Sequence, residues 1–165
     1  DGRSGEATVR KNKSGIVVKG LHDLAVRFSR CCNPVPGDEI VGFVTRGRGV
    51  SIHRTDCINV INLPEDERGR LIDAERQGEE NPTSTEQYST EIQIFANNRI
   101  GLFADISKVF TEKQIDITSM NVRTSKQGRA TIIMTFDIHG TEELNRITDK
   151  IRQIDGVLDI QRTTG

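Results

Sequence analysis

Ala130-Thr131-Ile132-Ile133-Met134-Thr135-Phe136-Asp137-Ile138 places an apolar side chain at every second position. A period of two marks a strand with one buried face. On its N-terminal side Lys126-Gln127-Gly128 supplies a turn. Ile115 to Arg123 reads as the preceding strand, with a phase shift near Met120 that suggests a bulge. Further back, Leu102, Phe103, Ile106, Val109 and Phe110 fall at helical spacing. Before them lies a strand through Ile92, Ile94 and Ala96, broken by Asn97-Asn98-Arg99-Ile100-Gly101. On the C-terminal side Thr141 is placed to cap a helix whose first turn holds Glu142 and Glu143, favourable at the positive end of the helix dipole. Leu144, Ile147, Ile151 and Ile154 form its apolar stripe, Gly156 ends it, and Val157-Leu158-Asp159-Ile160 is a last strand. The order β-α-β-β-α-β predicts a ferredoxin-like unit with both helices on one face of an antiparallel sheet.

The N-terminal part reads as mostly strand. Lys13-Ser14-Gly15 is a turn between Ala7-Thr8-Val9 and Ile16-Val17-Val18. Pro34-Val35-Pro36-Gly37-Asp38 turns the chain into Glu39 to Thr45, and Gly47 and Gly49 reverse it into Val50-Ser51-Ile52. Thr55 or Asp56 is placed to cap a short helix through Leu63, and Arg70 to Arg76 fits a strand of the same domain. Gly78-Glu79-Glu80-Asn81-Pro82-Thr83-Ser84 has almost no apolar content. The expected organisation is α+β: a small mostly-β domain with a short helix over 1–76, a linker at 77–87 and the βαββαβ domain over 88–165.

The chain has 165 residues and begins with Asp1, so a fragment of a longer polypeptide, or a processed or trimmed one, is expected. No apolar run approaches the roughly 18 residues of a membrane helix, so no membrane partner is expected. Three cysteines, two of them adjacent, point away from a closed disulfide set and toward the reducing cytoplasm. The net charge of -1 conceals a gradient: +4 over residues 1–62, -5 over 63–87 and zero over 88–165. Only the first block has a bias toward a polyanion.

That block holds all the cysteines. Cys31, Cys32, His53 and Cys57 have the atoms of a tetrahedral zinc site. Adjacent cysteines on extended backbone point to opposite sides, however, so Cys31 and Cys32 need a sharp turn to share an ion. The other reading is thiols buried as small apolar groups, with no cofactor required. No catalytic residues are assigned: there is no nucleotide-cradling glycine loop followed by Lys-Ser/Thr, and no acidic cluster with histidines suited to a catalytic metal. His53 and Cys57 lack an evident oxyanion site, and His22 and His139 look isolated. Arg46, Arg48 and Arg54, with His53, would sit on or beside one hairpin, where guanidinium forks suit phosphate. In the second domain Asn97, Asn98, Arg99, Ile100, Gly101 and Leu102 are the candidate ligand residues. Glycine permits close backbone approach there, and the N–H groups of the following helix favour a carboxylate.

The junction Asn98-Arg99-Ile100-Gly101-Leu102-Phe103-Ala104-Asp105-Ile106 resembles that of ACT domains, with Asn98 where an acid is common. The resemblance implies a regulatory module that pairs side by side as a homodimer and binds an amino acid, branched-chain ones first. The run Cys31-Cys32-Asn33-Pro34-Val35-Pro36-Gly37-Asp38, then Gly47-Arg48-Gly49-Val50-Ser51-Ile52-His53-Arg54-Thr55-Asp56-Cys57, is similar to the conserved-cysteine, zinc-finger-like or ribosome-intersubunit module of RelA/SpoT-type (p)ppGpp synthetase/hydrolases. In the long members an ACT domain follows it. The resemblance implies a non-catalytic C-terminal region, with hydrolase and synthetase domains upstream in the same polypeptide. It also implies docking on large-subunit ribosomal RNA, with Arg46, Arg48, His53 and Arg54 as contacts, and coupling of amino-acid starvation to alarmone levels in the stringent response. An ACT-type amino-acid sensor on another metabolic enzyme is the alternative.

Overall fold

A computed structural model of the chain describes residues 16–18, 25–47, 49–76 and 86–163. The expected strand at Ala7-Thr8-Val9, the turn at Lys13-Ser14-Gly15, His22, Arg48 and residues 77–85 of the expected linker lie outside the described residues. The chain divides into two compact units. The first takes residues up to 34 and 39–83; the second takes Val35–Asp38 and 84–164.

The first unit is a five-stranded sheet in the order β1-β5-β3-β4-β2. Its strands are β1 (Ile16–Val18), β2 (Ala25–Phe28), β3 (Ile40–Val44), β4 (Gly49–Arg54) and β5 (Leu71–Arg76). β2 runs parallel to β4, and the other pairs are antiparallel. Val50 and Ile52 of β4 are fully buried and join Ile16 and Ala74 in one apolar cluster. Ser51 and His53 alternate with them and face the other side. At Gly42 of β3 a Cβ would lie 3.0 Å from both Ile72 Cγ1 and Val50 Cγ1, so glycine lets those two side chains close over the strand.

The expected helix through Leu63 is a single turn, α1 (Ile58–Ile61). Its N-cap is Cys57, which makes no side-chain cap bond; neither Thr55 nor Asp56 caps it. A 3-10 helix, Glu65–Arg70, follows and leads into β5. Pro64 at its N-cap and three acids in its first turn suit the positive end of a short helix.

The second unit contains β6 (Tyr88–Asn97), α2 (Leu102–Glu112), β7 (Ile117–Thr124), β8 (Arg129–Ile138), α3 (Thr141–Arg152) and β9 (Val157–Arg162). The sheet order is β7-β8-β6-β9, antiparallel throughout, which is the ferredoxin-like topology. Every even position of β8 is buried against the helices. Phe110 of α2 meets Phe136 of β8 edge-on with centroids 4.9 Å apart. The phase break in β7 lies between Ile117 and Ser119, slightly before Met120.

Thr141 is the first helical residue rather than the cap. Gly140 occupies the N-cap, and the Thr141 N–H donates to the Pro36 carbonyl at 2.9 Å. Val35 is completely buried in this unit's core. Asp38 accepts the Val35 N–H at 2.8 Å and takes a forked pair of bonds from Arg162 at 2.6 and 2.8 Å. Among the described residues no helix is long and apolar enough to cross a membrane.

Candidate metal centre and ligand junction

The sharp turn that adjacent cysteines require is present. The Ser29 N–H donates to Ile52 O at 2.9 Å, which ties the end of β2 to β4. The Asn33 N–H returns to Ser29 O at 3.2 Å, and Asn33 takes φ 46, a left-handed conformation that asparagine tolerates. The reversal brings the Sγ atoms of Cys31 and Cys32 to 3.9 Å. His53 reaches them from β4, with Nδ1 3.4 Å from Cys31 Sγ and 3.9 Å from Cys32 Sγ. Cys57 is fixed by its N–H bond to Arg54 O at 3.0 Å, and its Sγ lies 3.5 Å from Cys31 Sγ.

A tetrahedral ion with metal–sulfur bonds of about 2.3 Å and a metal–nitrogen bond of about 2.0 Å needs ligand atoms about 3.5 to 3.8 Å apart. The four contacts above range from 3.4 to 3.9 Å, and all four ligand atoms lie within 4.8 Å of one another. The cluster can hold a metal ion.

Its surroundings suit a ligand set. Ser51 Oγ sits 3.0 Å from His53 Nε2. A proton on Nε2 donated to that hydroxyl leaves the Nδ1 lone pair facing the sulfurs. The Arg54 N–H donates to Cys32 Sγ at 3.3 Å, and Ser29 Oγ contacts Cys31 Sγ at 2.8 Å. Burial pushes Cys32 up to about 12 and raises Cys57 as well. At Cys31 burial also acts upward, but hydrogen bonds led by Ser29 and Asn59 outweigh it and lower the thiol. Burial lowers His53, which favours the neutral imidazole that ligates. A bound cation would supply the charge that stabilises thiolates packed this closely.

The expected hairpin residues part company. Arg46 stands in the β3–β4 turn, 85% exposed. Arg48 is outside the described residues. His53 faces the thiols. Arg54, expected among the RNA contacts, is instead buried, with 4% of its side chain exposed. Its guanidinium binds Asp56 at 2.9 and 2.6 Å and the Cys32 carbonyl at 3.2 Å, so it braces the cysteine turn. Ser29 and Ser51 have no role that the sequence pattern assigns, and Asp56, a candidate helix cap in sequence, binds Arg54 instead. Ser51 could have been given one, because it lies two residues before His53 on the same strand face.

The candidate ligand junction of the second unit is also built out of backbone. The Asn97 N–H donates to Gly156 O at 2.7 Å, and the Asn98 N–H to Gly128 O at 2.8 Å. Gly101 is the N-cap of α2 with φ 83. Leu102 is core, and Ile100 is fully exposed. Arg99 donates to Asp155 O, Ile100 O and the Asp105 carboxylate at 2.8, 3.0 and 2.7 Å. The first turn of α2 therefore carries its own carboxylate, bound to its own guanidinium. His139 is not isolated: its Nδ1 lies 2.8 Å from Glu143 Oε2, on the surface.

A β-rich unit carrying a Cys3His cluster, joined in sequence to a ferredoxin-like βαββαβ unit, defines the class. Comparison with known proteins carries this further. Residues 16–75 match the RelA/SpoT RIS domain, and residues 84–162 match the ACT domain. The chain is 40% identical over 150 residues to a GTP pyrophosphokinase of Streptomyces coelicolor, covering 91% of this chain and 17% of that protein. It is 37% identical over 156 residues to a GTP pyrophosphokinase of Escherichia coli K12, covering 94% of this chain and 20% of that protein. The ACT domain from GTP pyrophosphokinase of Chlorobium tepidum aligns in structure with TM-score 0.43 at 22% identity, over 47% of this chain and 99% of that one. The chain belongs to the RelA/SpoT proteins, as a C-terminal regulatory region, and spans about a fifth of the length of the curated relatives it matches.

Proposed function

We propose that this chain is a non-catalytic regulatory module of a cytoplasmic (p)ppGpp synthetase/hydrolase. Its first unit docks on large-subunit ribosomal RNA, and that contact couples amino-acid starvation to the balance of synthesis and hydrolysis by catalytic domains elsewhere in the polypeptide. The observation that carries the reading is an exposed arginine, Arg46, in the turn of the β3–β4 hairpin, whose second strand supplies His53 to the Cys3His cluster. In this reading Cys31, Cys32, His53 and Cys57 bind zinc, which holds the platform rigid and supplies no reactive group. Arg46 and Arg48 meet phosphate; Arg54 does not. The second unit acts as an ACT module. The edge strands β7 and β9 leave Met120, Val122 and Leu158 exposed, which suits pairing with a second copy. The junction Asn97–Leu102 is its candidate site for a branched-chain amino acid. Regulation requires that these contacts differ between two states of the enzyme.

Co-sedimentation with purified ribosomes tests the docking. The unaltered chain pellets with them, and the double change Arg46→Ala, Arg48→Ala reduces the bound fraction about tenfold, as loss of two phosphate contacts does. Undiminished pelleting of the double variant refutes the assignment of the hairpin.

A further inference from the structure

The first unit contains arginine pairs of two very different kinds. Arg54 holds Asp56 at 2.6 Å, with the guanidinium almost wholly buried. Arg46 and Arg70 share one carboxylate far more loosely. Arg46 Nη2 is 3.7 Å from Glu67 Oε1, and Arg70 Nη1 is 3.9 Å from Glu67 Oε2. Both distances exceed the 2.7 to 3.2 Å or so of an N–H···O bond. Among the described residues neither guanidinium donates a hydrogen bond, so both forks are open. The two arginines come from the β3–β4 turn and the end of the 3-10 helix, brought together only by the fold.

Arg70 is also held in place. Its guanidinium carbon lies 4.9 Å from the centre of the Phe43 ring, on β3. Stacking on a ring fixes the plane of the guanidinium and removes much of the rotamer freedom that binding would otherwise cost. Two positive forks thus converge on a single negative charge, leaving a local surplus of one. Arg46 is exposed while Glu67 and Arg70 are half-buried, and ion pairs this long contribute little to stability.

We propose that Arg46 and Arg70 form a phosphate clamp, with Phe43 positioning Arg70 and Glu67 acting as a resident stand-in for the phosphate. An RNA backbone phosphate displaces Glu67 and takes both forks. A phosphodiester fits where Glu67 sits, because it presents two oxygens to two guanidiniums and carries the same single charge. RNA binds better than an isolated carboxylate because neighbouring phosphates release counterions as they bind. Glu67 sets the affinity by competition. This inference rests on the RNA-docking reading above, and adds Arg70, Phe43 and Glu67 to it.

The test measures binding of a fluorescein-labelled ribosomal RNA hairpin to the whole chain over a range of salt. Glu67→Gln tightens binding about threefold, because the competitor loses its charge. A gain of this kind cannot come from misfolding. Arg70→Ala weakens binding about fivefold and lowers the slope of log affinity against log salt by about one. Phe43→Leu weakens binding while keeping the slope, since the charge stays and only its placement is lost. If the unaltered chain binds but Glu67→Gln and Arg70→Ala leave affinity and slope unchanged, the clamp is wrong and the docking reading stands. If the unaltered chain binds neither the hairpin nor ribosomes, both fall. Equal binding of polyglutamate to the Glu67→Gln chain overturns the assignment to RNA in favour of an acidic protein.

Discussion

Arg46 and Arg54 are the same residue type, eight positions apart, with opposite fates. Arg54 ends β4 on the face of Val50 and Ile52, and the protein's interior takes its guanidinium. Arg46 lies in the turn and stays exposed. Truncating Arg54 leaves the Cys32 carbonyl and the Asp56 carboxylate short of donors. Arg54→Ala therefore lowers the stability of the first unit by about 1 to 3 kcal/mol. Arg46→Ala changes it by no more than about 0.5 kcal/mol. Urea denaturation of both variants checks this, and equal midpoints contradict it. Strand parity makes the fate of Arg54 legible once β4 is extended to residue 54. A reading that stops the strand at Ile52 leaves Arg54 on the surface. The metal cluster was legible as a set of atoms but not as a site. What joins Cys31 to Cys32 is the left-handed Asn33, and nothing in the local pattern requires that conformation.

At the scale of elements, long periodic segments declared themselves. β8, with its alternation over Ala130 to Ile138, and α3, with its apolar stripe, both formed as read. Their caps did not, because cap residues are chosen by the chain's path rather than by side-chain chemistry alone. Glycines stand at the N-caps of α2 and α3, although Thr141 has the chemistry of a cap at the second. Short elements escaped for a related reason. β2 has four residues and pairs in parallel with a strand far along the chain, so its existence depends on tertiary contacts. The 3-10 helix is too short for a period. Gly101 offers a direct check of its element. At φ 83 an L residue is strained, although a Cβ there meets only the flexible end of Arg99, at 3.6 Å. Gly101→Ala therefore destabilises the second unit by about 1 to 2 kcal/mol through backbone strain rather than through a clash. Thermal unfolding of the variant measures this, and an unchanged midpoint contradicts the left-handed assignment.

The whole molecule combines two economies suited to small domains. The second unit has one continuous apolar core, filled from both helices and all four strands. Among its described residues the first has two smaller clusters, one of which consists largely of cysteine side chains with Val60, Val41 and Leu71. A unit with so little apolar content gains from a structural metal, since an ion crosslinks what a core would otherwise hold. A bound metal would tie the cysteines to the arginines, because the turn bearing Arg46 and the strand bearing His53 are one hairpin. The most direct measurement is zinc content determined alongside ribosome binding, before and after chelation. The account predicts about one zinc per chain, with zinc and ribosome binding lost together on chelation and regained together when zinc is restored. A purified chain that binds ribosomes equally well with and without zinc would contradict it.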